Sequence, residues 1–143
     1  MTHLNFKAES PRLQGYDYSS DGAYFITICS FERKNTFGKI VNSEFIESSL
    51  GTIIKQELLK TNDIRDNVFL GPWVIMPNHL HGIIYININS GVELPSYEIP
   101  NYSLILNSVN SIGKQSKNLS SFVRGFKSSV TSQARAVGYK EVW

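Results

Sequence analysis

The chain has 143 residues, 41% of them hydrophobic, and a formal net charge of +2. That length supports one domain with a real core, and no apolar run approaches the ~20 residues needed to span a bilayer. A single cysteine, Cys29, excludes an intrachain disulfide framework or a cysteine zinc site. The N-terminal MTHLNFKAESPRLQ carries no apolar segment of signal-peptide type, which makes a cytoplasmic protein the expectation.

In chain order, a polar, turn-rich arm through LQGYDYSSDG leads into AYFITICSF (Ala23 to Phe31), whose aromatic and β-branched residues predict a strand. ERKNTFGKI is then a loop or hairpin extension. A helix is expected from about Glu44 to Lys60, capped by Ser43, with Ile46, Leu50, Ile53, Ile54 and Leu58 forming one apolar stripe. TNDIRDN breaks it. VFLGPWVIM and HLHGIIYINI predict two strands joined through Pro77-Asn78, with Gly71-Pro72 marking a bulge or an edge. From about 89 to 118 the prolines, turn residues and lack of period predict a long insertion. A second helix is expected over about Leu119 to Ala136, burying Phe122, Phe126, Val130 and Ala134. VGYKEVW then turns toward a further strand. The order β-α-β-β-α-(β) is that of a ferredoxin-like α+β domain, an antiparallel sheet with both helices on one face.

Charge is distributed unevenly. Residues 1–100 carry 8 Lys/Arg against 11 Asp/Glu, whereas residues 101–143 carry 6 against Glu141 alone. Arg124, Lys127 and Arg135 lie off the apolar stripe of the second helix with no acid between them; the asymmetry suggests a polyanion-facing end, and a basic solvated surface is the other reading.

The segment VIMPNHLHGIIYI holds two of the three histidines. Strand side chains alternate, so Leu80, Gly82, Ile84, Ile86 and Ile88 share an apolar face, while His79, His81, Ile83, Tyr85 and Asn87 share the other. The two imidazoles then stand roughly 7 Å apart at Cβ and can lean toward one divalent ion, or be satisfied by solvent. A further oxygen ligand would be needed for magnesium or manganese, and His3 in the arm is no candidate.

Taken together, GYDYSSDGAYFITICSFERKNTFG, VIMPNHLHGIIYI and FVRGFKSSVTSQAR resemble, in this order, the REP-associated tyrosine transposases, relatives of the small insertion-sequence transposases acting on single-stranded DNA. MPNHLHG is similar to the HUH motif (His, bulky apolar, His) of the wider endonuclease class. The resemblance covers about residues 11–143. It implies that His79 and His81 bind Mg2+ or Mn2+ to polarise a scissile phosphate. It also implies that a helix-borne tyrosine attacks phosphorus, leaving a 5′-phosphotyrosyl link and a free 3′-hydroxyl. Imperfect DNA hairpins would be the substrates, with Arg124, Lys127 and Arg135 on phosphates and Arg33 and Lys34 as further DNA contacts. The family's nucleophile and a further metal ligand lie on a helix that would begin beyond Trp143. None of the seven tyrosines stands at that place, so a truncated product or part of a longer gene is expected, with an open sheet edge that could serve a homodimer. Two other readings stay open: a non-catalytic hairpin-binding remnant, and an unrelated ferredoxin-like domain with structural histidines.

Overall fold

The computed structural model describes residues 13–65, 67–86 and 118–143. Three strands form the main sheet: β1 (Gly22–Cys29), β4 (Val68–Met76) and β5 (His79–Ile86), in the order β1-β5-β4 and antiparallel throughout. A separate two-stranded hairpin, β2 (Gly38–Val41) with β3 (Glu44–Glu47), precedes helix α1 (Ser49–Leu59) and a short α2 (Thr61–Ile64). Helix α3 (Leu119–Ala136) follows β5 in the described chain. The result is an α+β fold whose strand order is that of the ferredoxin-like plan.

Alternation in the strands decides which face is covered. Tyr24, Ile26 and Ile28 of β1 and Leu80, Ile84 and Ile86 of β5 are buried, and they meet Leu50, Ile54 and Leu58 of α1 and Phe122, Phe126, Val130 and Ala134 of α3 in one core. Leaving water stabilises the larger of these side chains by roughly 1.5–3 kcal/mol each. The α3 stripe is the one expected, and Asn118 caps the helix by accepting from the Ser121 amide at 2.8 Å. The sheet register shifts between Leu70 and Trp73, so Gly71-Pro72 is a bulge on an edge strand, where a proline removes no needed ladder donor.

The helix expected from Glu44 begins five residues later. Asn42 and Ser43 adopt φ of 49° and 65°, the left-handed pair of a hairpin turn, and Glu44–Glu47 returns as a strand. Ser43 therefore caps nothing. Ser48 does, accepting from the Gly51 amide at 3.0 Å while donating to the Thr36 carbonyl at 2.7 Å. Ile46, expected in the helix stripe, lies on β3 and is exposed. Gly51 is required where α1 meets the preceding loop, because a Cβ there would stand 2.1 Å from the Phe37 carbonyl oxygen.

Residues 137–143 form no strand. Val142 is nevertheless buried, and its carbonyl accepts from the Phe31 amide at 3.0 Å, beside the end of β1 where the ferredoxin-like plan sets a fourth strand. One such bond makes no ladder. Trp143 closes that corner, its indole donating to the Lys127 carbonyl (3.2 Å) and the Thr131 hydroxyl (3.1 Å). The insertion expected over about 89–118, with Tyr97 and Tyr102, lies outside the described residues up to 117, as do Asn87, Ile88 and His3, whereas Asn118 belongs to α3 as its cap.

Candidate metal and nucleic-acid site

The face of the sheet away from the helices carries the histidine pair. His79 lies across from Cys29 on one side and Met76 on the other, and His81 across from Thr27 and Val74. The two rings sit 4.7 Å apart between centroids, inclined at 71°. Both imidazoles stand on the helix-free face, as the alternation of strand side chains predicts.

What the sequence did not disclose is how the rings are held. His79 Nδ1 lies 2.7 Å from Asn78 Oδ1, and Asn78 Nδ2 donates to the Arg33 carbonyl at 3.1 Å. A carbonyl only accepts, so the amide nitrogen must face Arg33 and the amide oxygen must face the imidazole. His79 Nδ1 then carries a proton, which in the neutral ring leaves the lone pair on Nε2. His81 Nδ1 is held by the Thr27 hydroxyl at 2.9 Å. An imidazole whose Nδ1 proton is fixed by a neighbouring oxygen is the usual form of a metal-ligating histidine.

The turn supporting this pair is braced from outside. The Ser30 amide and hydroxyl both donate to the Asn78 carbonyl, at 2.9 and 3.0 Å, and the Phe37 amide donates to the Pro77 carbonyl at 3.0 Å. A 3-10 turn at Phe31–Arg33 presents the Arg33 carbonyl, with Glu32 and Arg33 at φ of 49° and 54°. Non-glycine residues in that region cost about 1–3 kcal/mol each, and such strain tends to gather at functional sites.

Two imidazoles suit a divalent ion but do not complete its shell. Among the described residues, no three of His, Cys, Asp and Glu cluster as a full metal site. Nor does a described tyrosine stand at the pair. Tyr85 shares the face four residues along β5, about 13 Å away by strand rise, and is buried. Tyr24 points into the core and donates to the Ser20 carbonyl at 2.7 Å. Desolvation, then the Tyr16 hydroxyl and the charges of Asp17 and Asp21, push its phenol up to about 12, the reverse of what a nucleophile needs. Tyr139 pairs with the Ser49 hydroxyl at 3.0 Å, and Tyr18 accepts from the Leu13 amide at 2.8 Å.

The basic residues fall into two groups. Arg124, Ser128 and Arg135 lie on the side of α3 away from the buried stripe, with Lys127 and Thr131 half-buried on its flank; all but Arg124 of these line a groove of 420 Å3. Arg124 and Arg135 are exposed. Lys127 is different: its ammonium lies 5.3 Å above the Trp143 ring, and burial holds its pKa below the usual lysine range, with Cys29 opposing the shift. Through Trp143, whose neighbour Val142 meets the Phe31 amide, Lys127 lies at the corner beyond the end of β1. Arg33 and Lys34 belong to the 3-10 turn rather than a hairpin tip. Lys34 is engaged by Glu32 and by the Phe31 ring, 5.5 Å from its ammonium, whereas Arg33 is exposed next to Asn78.

A second cavity, 240 Å3 between α1, α2 and α3, is lined by Glu57, Thr61, Arg65, Phe122 and Ser129 among others. Its polar groups are mutually engaged: Gln133 donates to Glu57 at 2.8 Å, and Arg65 donates to the Ser121 hydroxyl and carbonyl at 3.1 and 3.3 Å. It is a seam between helices. No described helix is long and apolar enough to cross a membrane.

No family model matches the chain, and no solved structure matches it. A protein of Haemophilus influenzae (strain ATCC 51907 / DSM 11121 / KW20 / Rd), named only as an uncharacterized protein, is 36% identical over 132 residues, spanning 88% of this chain and 67% of the relative's own length.

Proposed function

We propose that this chain, which belongs to one family with the Haemophilus influenzae protein, is by its own residues a DNA-transposase-type domain of the HUH endonuclease class, binding single-stranded or hairpin DNA. The observation that carries this reading is the histidine pair: two adjacent imidazoles on the helix-free face, with Nδ1 of each held by an oxygen. Mg2+ or Mn2+ bound there would polarise a scissile phosphate. The chain's own part is to fix the two rings, to present phosphate contacts from Arg124, Lys127 and Arg135, and to bring Arg33 beside the turn that carries His79. Strand cleavage in this class is a transesterification. A tyrosine oxygen bonds to phosphorus, the bond from phosphorus to the 3′ oxygen breaks, and that oxygen leaves as a hydroxyl, so rejoining needs no ATP. The place of action would be the cytoplasm, at the nucleoid. A homodimer would use the edge of β1 that has no second strand among the described residues.

One observation favours a second reading, a non-catalytic hairpin-binding domain of the same descent: the described tyrosines are packed or engaged away from the pair, the exposed Tyr16 by ring contacts with Tyr18 and Tyr24. The deciding experiment mixes the protein with labelled DNA hairpins and Mn2+, then runs native and denaturing gels side by side. The expected result is a native shift that weakens when His79→Ala or His81→Ala is used. A denaturation-resistant adduct would establish a tyrosine nucleophile. Absence of any shift across a hairpin panel would overturn the DNA reading and leave the histidines as structural residues.

A further inference from the structure

The row of rings on the helix-free face does not end at His81. Phe25 of β1, across from Ile83, stacks on the His81 imidazole with centroids 5.1 Å apart and 27° between planes. It is 68% exposed, an uncommon position for a phenyl ring in the middle of a strand. One ring face lies toward the imidazole, and the other meets solvent.

We propose that Phe25 is the stacking platform for the nucleobase adjoining the phosphate at His79 and His81, so that the sheet grips one nucleotide by base and phosphate together. This rests on the DNA reading above and specifies what the face recognises: an unpaired base beside the reacting phosphate. A strand backbone fixes the height of the ring, and its contact with His81 fixes the tilt, so little side-chain freedom remains to be lost on binding. The spacings of 5.1 Å from Phe25 to His81 and 4.7 Å from His81 to His79 lie within the reach of one nucleotide. Charge agrees, because β1, β4 and β5 contain no acidic residue to repel a phosphate. Base–aromatic stacking tolerates any base, since each has a π face, so the platform would supply grip rather than sequence choice. A second copy of the chain is the competing occupant. A standard interface needs about 800 Å2 per partner, and here the exposed apolar side chains Phe25, Val74 and Met76 surround two imidazoles that docking would bury.

The test measures, by fluorescence anisotropy in Mn2+, binding of a hairpin with a short single-stranded tail to wild type, Phe25→Ala and Phe25→Trp. Tails carrying an abasic site at each position in turn are measured alongside. Expected are a loss of about tenfold or more in Phe25→Ala and wild-type-like binding by Phe25→Trp. One abasic position should weaken the wild type by a similar factor and weaken Phe25→Ala no further. Equal binding by wild type and Phe25→Ala would overturn the platform while leaving the DNA reading intact. So would a Phe25→Ala effect confined to self-association in sedimentation, which would assign the face to a second copy. No binding by the wild type would remove both.

Discussion

Both ends of the Asn78 amide are engaged, and the consequence falls on its neighbour. The nitrogen end is claimed by the Arg33 carbonyl, so the oxygen end must take the His79 Nδ1 proton. Asn78→Ala removes that acceptor without touching either imidazole. The Nδ1-H tautomer of His79 should then lose its dominance in the metal-free protein, visible in long-range 1H–15N spectra of the ring. Mn2+ affinity by calorimetry should fall roughly 10–100-fold, the usual cost of losing such an outer partner. If the tautomer ratio stays where it was, the amide does not set the ring. The histidines were legible in the sequence because a strand's period of two is rigid. Asn78 was not, for its role depends on a carbonyl 45 residues away that is delivered by a left-handed turn at Glu32 and Arg33.

At the scale of an element, the region between Gly38 and Leu59 shows what local pattern decides and what it leaves open. Ile46 and Leu50 are four apart, and Ser43-Glu44 has the look of a helix start, so the helical period extends backward through a strand. What ends it is the Asn42-Ser43 turn and the pull of Ser48 on both Gly51 and Thr36. By contrast α3 was legible from end to end, because its stripe Phe122, Phe126, Val130, Ala134 has no competing reading. Ser48→Ala should lower stability by about 1–2 kcal/mol, since it removes a cap and also the donor to the Thr36 carbonyl. Ser43→Gly should act the other way. Its φ of 65° strains a residue with a Cβ, and Asn-Gly is the favoured pair for this turn, so a gain of roughly 0.5–1 kcal/mol is expected. Thermal or urea unfolding of the two variants checks both; a destabilised Ser43→Gly would mean that the turn geometry is not that of a left-handed pair.

For the molecule as a whole, the core separates two surfaces: the helix-free sheet face with its histidines, and the outer stripe of α3. At the corner beyond the end of β1, Lys127 of α3 lies over Trp143, whose neighbour Val142 meets the Phe31 amide. A folded hairpin engaging both would be held mainly by charge, and charge can be counted. Each phosphate neutralised by a cation contributes about 0.7 to the slope of log K against log salt for single strands and about 0.9 for duplex. Lys127 is a poor choice for that count. Its ammonium is partly desolvated against Trp143, so changing it disturbs packing as well as charge. Arg124 and Arg135 are exposed and form no ion pair among the described residues, which makes them clean probes. The variant carrying Arg124→Ala and Arg135→Ala should unfold like the wild type and lose affinity at low salt. Its salt slope should be shallower by roughly 1.4–1.8, two phosphates' worth. Measured without divalent ion, His79→Ala should leave the slope nearly unchanged, because it removes no positive charge from the α3 stripe. If the double arginine variant keeps the wild-type slope, α3 does not meet the phosphate backbone, and the stripe is simply the solvated side of a core helix.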